Sequence, residues 1–149
     1  MTEIALSNPA SPTAQAALAA YFAELDRRFP GGFDPGPPAD PALYRPPQGV
    51  FLLATDATTA GCVALTRDGP GRGEVKRLWV APSARGQGLA RRLMQAVEDQ
   101  ARDLGLTALR LDTYATLTEA IAMYTRLGWT PIPRYNSNAY AHHWFARTL

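Results

Sequence analysis

Apolar positions recur with two different periods along the chain, and the alternation between these periods predicts a mixed α/β domain. Helical spacing runs through Ala14–Phe29, then from Leu89 to Leu104, and again over Thr118–Leu127, where Gly128 ends the helix. Short apolar runs between turn residues are typical of strands. The predicted strands are Thr2–Leu6, Val50–Thr55, Gly61–Arg67, Glu74–Ala81, Ala108–Thr113, Trp129–Ile132 and His143–Leu149. Helices and strands therefore interleave in the order β-α-β-β-β-α-β-α-β-β.

Composition narrows the class of protein. The 149 residues, of which 46% are hydrophobic, predict a single domain over residues 1–149 with a sizeable core. A net charge of +2, with basic and acidic residues interspersed, predicts no nucleic-acid partner. Cys62 is the only cysteine, which excludes an internal disulfide framework and a multi-cysteine metal cage. The chain shows neither a secretory leader nor an apolar run of about 18 residues, so we expect a cytoplasmic protein without a membrane span.

The segment with the clearest chemical meaning joins the Glu74–Ala81 strand to the following helix. Glycines at 86 and 88 stand directly before that helix, where they let the backbone approach a ligand with no Cβ in the way. A helix N-terminus presents unpaired N–H groups and a partial positive charge, and it can therefore hold phosphate. An ordinary turn between a strand and a helix has the same composition, so the residues by themselves leave both interpretations open.

Arg85, Gly88 and Ala90 match the pattern Gln/Arg-x-x-Gly-x-Gly/Ala, and with them the chain resembles the GNAT superfamily of N-acetyltransferases. Four further segments resemble parts of that family, namely its first helix, its fifth strand, the helix that follows and the turn after it. These segments are Tyr21–Pro35, Leu111–Thr113, Ala120–Tyr124 and Leu127–Trp129. The resemblance implies a mixed, mostly antiparallel sheet of about six to seven strands, flanked by about four helices, that binds acetyl-CoA.

The resemblance also implies which residues bind acetyl-CoA and which perform the chemistry. The residues implied in binding are Leu78, Trp79, Val80, Arg85, Gly86, Gln87, Gly88, Leu89, Ala90, Thr113, Ala120 and Tyr124. The Leu78 amide would contact the acetyl carbonyl, and the Tyr124 phenol would protonate the departing sulfur. Glu74, eleven residues before Arg85, matches the family's glutamate base, which accepts the proton of the amine. The alternatives are a packing role for Tyr124 and a strand carboxylate paired with Arg72 or Lys76 for Glu74.

Several residues depart from the family pattern or carry less information. Leu117 stands where many members have an asparagine that contacts the pantetheine, and Thr113 or Thr118 is a candidate substitute. Cys62 lies in an apolar strand and is expected to be a buried small side chain. His142 and His143 are neighbours on a strand, so they point to opposite faces and cannot chelate one metal ion. The polar loop Tyr135–Tyr140 is either the rim of an acceptor site or a simple connection.

These features predict an N-acetyltransferase that uses acetyl-CoA and no metal. The acceptor is expected to be a primary amine of a small molecule or peptide, which attacks directly in a ternary complex. A non-catalytic acyl-CoA-binding module and a nucleotide-phosphate binder are the alternatives. The balanced charge argues against strongly cationic acceptors, and a homodimer is possible.

Overall fold

A seven-stranded sheet organises residues 2–115 and 117–149, the part of the chain that the computed structural model describes. The strands are β1 (Glu3–Leu6), β2 (Gly49–Thr55), β3 (Thr59–Gly69), β4 (Arg72–Val80), β5 (Ala108–Thr113), β6 (Thr130–Pro131) and β7 (His143–Thr148). The α-helices are α1 (Pro12–Arg28), α2 (Leu89–Asp103) and α3 (Thr118–Arg126). The spatial order β1-β2-β3-β4-β5-β7-β6 is antiparallel throughout except for the parallel pair β4–β5. The predicted mixed, mostly antiparallel sheet is confirmed.

The helix count is lower than the four expected, and the difference lies in short 3-10 turns. Within the described residues, three α-helices accompany 3-10 turns at Pro41–Tyr44 and Pro82–Ala84. The first of these turns belongs to the proline-rich connector, where the prolines lack the N–H donors that a longer helix requires.

Both faces of the central strands are buried, which explains why the sequences of these strands are continuous apolar runs. Along β2, Val50 and Leu52 belong to the core cluster that contains α2 and Met123 of α3. Phe51 and Leu53 belong to the cluster on α1. Since side chains alternate between faces along a strand, each of these strands supplies both hydrophobic layers.

The turn between β3 and β4 is shorter than the six residues, 68–73, that separate the two predicted strands Gly61–Arg67 and Glu74–Ala81. The ladder continues to the pair Gly69↔Arg72, so only Pro70 and Gly71 lie between the paired residues. Gly71 has φ +66°, and a proline followed by a glycine with positive φ suits a tight two-residue turn.

None of the helices in residues 2–115 and 117–149 combines the length and apolar character needed to cross a membrane.

Candidate active site

Strands β4 and β5 separate part-way along their length, and this opening is the basis of the site. Their parallel pairing covers only Arg72↔Ala108, Gly73↔Leu109 and Glu74↔Arg110. Both strands continue beyond that point, β4 to Val80 and β5 to Thr113. Their diverging ends contribute residues to the walls of two cavities.

A bulge in β4 lies at the same place. The register with β3 passes from Ala64↔Lys76 to Cys62↔Trp79, so Arg77 and Leu78 together face Val63. Arg77 has φ +61°, a conformation that non-glycine residues adopt rarely and at an energetic cost. The Cys62 thiol donates to the Arg77 carbonyl oxygen at 3.4 Å. The bulge leaves Leu78 without a register partner on β3 or β5.

The first cavity has a volume of about 1040 Å³ and lies between α1, β4, α2 and α3. Nine of the predicted acetyl-CoA contacts line it. These are Leu78, Trp79, Val80, Arg85, Gly86, Gly88, Leu89, Ala90 and Ala120. Gln87 is exposed on the same loop and is not a lining residue of either cavity.

The two loop glycines have backbone conformations and surroundings that explain why the sequence has no side chain there. Gly86 and Gly88 have φ +78° and +76°, and a Cβ built on either would have no neighbour within 4 Å. Gly88 is the N-cap of α2, and no side chain caps the helix. The first N–H groups of the helix therefore point out beside open space, which is the arrangement expected of a phosphate site.

Charged side chains surround the first cavity. Four arginines and two glutamates line it, namely Arg28, Arg85, Arg91, Arg126, Glu24 and Glu119. The Glu24 carboxylate forms ion pairs with Arg85 at 2.5 Å and with Arg28 at 3.1 Å. It also accepts a hydrogen bond from the Trp79 indole at 3.3 Å. Arg28 also pairs with Glu119 of α3 at 3.0 Å. This network could not be predicted from the sequence, because nothing in the spacing of Glu24 or Glu119 connects them to the glycine loop.

The second cavity, of about 430 Å³, lies on the α1 side of the opening. Its walls come from α1, β4, β5, α3, the connector after α1 and the loop before β7. It contains the two remaining predicted residues, Thr113 and Tyr124. Four residues line both cavities: Tyr21, Leu78, Leu117 and Ala120. A ligand in one cavity therefore adjoins a ligand in the other at these residues.

Tyr124 is buried beside the second cavity, where its ring lies 6.0 Å from that of Trp129 and 5.8 Å from that of Phe145. Burial raises the pKa of its phenol well above the ordinary value, and the negative charge of Asp112 adds to the effect. Its hydroxyl makes no hydrogen bond to another residue in the described part of the chain. The phenol is thus a protonated donor at neutral pH.

Glu74 lies apart from both cavities, although it is buried. One carboxylate oxygen accepts a hydrogen bond from the Tyr135 hydroxyl at 2.6 Å, and the other pairs with Lys76 at 3.2 Å. Burial, followed by this bond to Glu74, raises the pKa of Tyr135. The Arg110 guanidinium lies 3.7 Å from the centre of the Tyr135 ring. The Glu74 carboxylate is therefore paired with Lys76, as in the alternative of a paired strand carboxylate. Its role as a base stays a prediction.

Asp112, one residue before Thr113, lines the second cavity and was not singled out by the sequence. Its Oδ2 accepts from the side-chain amides of Asn136 and Asn138, at 2.5 and 3.2 Å. The Trp144 indole donates to the side-chain oxygen Oδ1 of Asn136 at 3.1 Å and so fixes the direction of that side-chain amide. The loop Tyr135–Tyr140 has two interpretations from the sequence, the rim of an acceptor site or a simple connection. Its residues 136–140 line the second cavity, and Asn136 and Asn138 bind the Asp112 carboxylate.

Cys62 and the two histidines take no part in either cavity. The Cys62 side chain is fully buried, as expected, and burial raises the pKa of its thiol to about 12. His142 Nδ1 accepts from the backbone N–H of Ala115 at 3.1 Å. Over residues 2–115 and 117–149, no three His, Cys, Asp or Glu side chains cluster as a metal site. The absence of a metal requirement stays a prediction.

A comparison with protein families identifies the family of this chain. The profile of the Acetyltransferase (GNAT) family matches residues 18–129, which is three quarters of the chain. The chain belongs to the GNAT family. The match begins in α1 and ends just before β6, so it includes the glycine loop and lining residues of both cavities. The resemblance inferred from the motifs is confirmed.

Two curated GNAT relatives match over part of their length. An "IAA acetyltransferase" of Azospirillum brasilense is 44% identical over 81 residues, which is 53% of each chain. An uncharacterized N-acetyltransferase of Schizosaccharomyces pombe is 38% identical over 98 residues, 64% of this chain and 60% of the relative. This chain thus spans between about half and three fifths of the length of these two relatives.

Solved structures match over the whole chain. A protein from Klebsiella pneumoniae, described as an acyl-CoA N-acyltransferase, has a TM-score of 0.79 and 26% identity, over 100% of this chain and 98% of its own. A GNAT-family acetyltransferase from Staphylococcus aureus has a TM-score of 0.85 and 16% identity, over 99% of both chains. At that identity the second likeness shows the fold alone.

Proposed function

We propose that this protein transfers an acetyl group from acetyl-CoA to a primary amine of a small molecule or peptide. The observation that carries the proposal is the meeting of two cavities at Tyr21, Leu78, Leu117 and Ala120. One cavity has a glycine cradle for phosphate, and the other has a carboxylate for an amine and a phenol for the departing sulfur. Membership of the GNAT family supports the same reaction.

The first cavity fits coenzyme A in its chemistry. The open space at Gly86 and Gly88, which a Cβ would enter, suits a pyrophosphate against the N–H groups of α2. Arg91 and Arg126 add positive charge for phosphate groups. The apolar strand residues Leu78 and Val80 suit the pantetheine arm.

Acetyl-CoA, when bound, supplies a thioester whose acetyl carbon bonds to the amine nitrogen while the carbon–sulfur bond breaks. The amide of Leu78, a residue with no register partner on β3 or β5, donates to the carbonyl oxygen as negative charge develops there. Tyr124 gives its phenol proton to the departing sulfur, and the proton that the nitrogen loses as the amide forms restores the phenol.

Two carboxylates compete for the role of base. Glu74 is the residue that the family resemblance implies, but both of its oxygens already have partners. Asp112 lines the acceptor cavity, and its Oδ1 accepts no bond from another residue among those the structure describes. We therefore propose that Asp112 receives the ammonium proton, with Glu74 as the alternative.

Release of the coenzyme A thiol tests the proposal. We expect release from acetyl-CoA to depend on added amine and to match the amount of N-acetylated product. Saturable acetyl-CoA binding without release by any of a broad panel of amines would contradict catalysis and indicate a non-catalytic acyl-CoA-binding module.

A further inference from the structure

The second cavity contains a cation without an anionic partner. Arg77 lines it, and its guanidinium lies 5.5 Å from the centre of the Phe22 ring and 5.3 Å from that of Tyr44. No carboxylate comes within 4 Å of this guanidinium in the described residues, whereas Arg28 and Arg85 of the first cavity are both paired. A guanidinium held against aromatic rings and free of a protein carboxylate suits a carboxylate of a ligand.

The same cavity contains a carboxylate, that of Asp112, with one oxygen that no described residue binds. Asn136 and Asn138 occupy Oδ2 of Asp112, and Oδ1 has no partner among the described residues. Asp112 and Arg77 do not pair with each other, because β4 and β5 have already separated at this level. A ligand that carries both an ammonium and a carboxylate would satisfy the two side chains at once.

The other charged groups of this cavity do not supply the missing partner. Lys76 pairs with Glu74, and the exposed Asp34 accepts from the backbone N–H of Gly36 at 2.8 Å. A simple monoamine would leave the Arg77 guanidinium unpaired. A diamine would bring a second positive charge toward Arg77 and Lys76, which costs free energy.

The remaining wall is aromatic. The rings of Phe33 and Tyr140 lie 4.7 Å apart, and those of Phe33 and Tyr114 lie 6.1 Å apart; all three residues line the cavity. Aromatic walls favour apolar and particularly aromatic groups, which pack edge to face or offset.

From these three features we propose that the acceptor is a free α-amino acid with an apolar, preferably aromatic, side chain. Its ammonium binds Oδ1 of Asp112, and its carboxylate binds the Arg77 guanidinium. The side chain packs against Phe33, Tyr114 and Tyr140. This inference rests on the proposed acetyl transfer, because it assigns the amine that the reaction consumes.

Three matched probes isolate the carboxylate: L-phenylalanine, L-phenylalanine amide and phenethylamine. A charge-assisted contact corresponds to a factor of about 10–100 in binding. We therefore expect kcat/KM for L-phenylalanine to exceed that for phenethylamine and for the amide by about 10–100-fold. In Arg77→Gln this ratio should fall toward one, and Arg77→Lys should restore part of it. Arg102→Gln, at an exposed position of α2 outside both cavities, should leave the ratio unchanged.

Calorimetry with L-phenylalanine separates failure of this inference from failure of the proposed reaction. If no amine is acetylated, the proposed function is wrong, and weaker L-phenylalanine binding in Arg77→Gln would still support the assigned contact. Equal kcat/KM for the three probes overturns the inference, as does a preference that persists in Arg77→Gln. A preference for the amide would indicate a peptide N-terminus and would overturn it as well. Absence of L-phenylalanine binding to the unaltered protein overturns it directly.

Discussion

The two cavities are built in different ways. Much of one wall of the first cavity comes from one continuous stretch, Ala84–Arg91, in which the first backbone amides of α2 lie beside two glycines. The second cavity draws side chains from six separate segments, and its charged groups lie on β4, β5 and the connector after α1. The proposed cosubstrate would be bound by a local backbone motif, whereas the proposed acceptor would need side chains that the tertiary fold brings together. The first cavity should therefore be sensitive to backbone changes, and the second to changes of single side-chain atoms.

The largest expected effect is on the backbone of the first cavity. Gly88→Val should weaken acetyl-CoA binding by about 100-fold or more, because the new side chain enters the space beside the α2 amides, where several charge-assisted bonds form. Isothermal titration calorimetry measures the affinity.

Gly105→Val is the matched control for that substitution. Gly105 follows α2 and lines neither cavity, and it also has positive φ, +80°, with nothing within 4 Å of a Cβ. Both variants should lose about 1–2 kcal/mol of stability from the left-handed conformation. Equal acetyl-CoA affinity in the two variants would refute the phosphate cradle.

At the junction of the cavities, Tyr124→Phe should lower kcat by about 100-fold, the low end for general acid catalysis, because a thiol of pKa ~8.5 leaves readily without help. KM for acetyl-CoA should change little, since the ring and its packing remain. The pKa of this phenol is raised, so the phenol keeps its proton as pH rises from 6 to 9 and the loss should be the same throughout. Unchanged kcat across that pH range would assign Tyr124 to packing.

Within the second cavity, Asp112→Asn should lower kcat/KM for the acceptor by about 10-fold at neutral pH, because a charged partner of the ammonium is lost. The loss should shrink at higher pH, where the amine sheds its proton unaided. Glu74→Gln serves as the comparison and should keep a pH–rate profile of unaltered shape. The reverse pattern would transfer the base role to Glu74.

The smallest effect is expected for Cys62, which lies in the core layer beneath α1 and lines neither cavity. The pKa of its thiol is raised to about 12, so the neutral thiol predominates at pH 7 and is a poor nucleophile. Cys62→Ala should keep kcat within about twofold, with a stability loss of ~1 kcal/mol. A loss of turnover at unchanged thermal stability would point to an acetyl-cysteine intermediate.

The difference between the cavities also explains what the sequence could predict. The β-strand pattern and the glycine loop are encoded by local spacing, and the strand Ala108–Thr113 has the bounds expected. Tyr124 is selected by the resemblance to a family motif. Asp112 and Arg77 could not be singled out, because their significance depends on a bulge in β4 and on the separation of two strands. Both features arise from pairing across the sheet. Glu74 shows the opposite case, since the motif spacing selects it while its neighbours in space occupy its oxygens.

Direct transfer requires that the two substrates are bound side by side at the same time. Initial rates measured over a grid of acetyl-CoA and L-phenylalanine concentrations test it, with phenethylamine as a second acceptor. Double-reciprocal plots should give lines that intersect, because both substrates are bound before the first product leaves. Parallel lines, the pattern of a covalent acetyl-enzyme, would contradict the account.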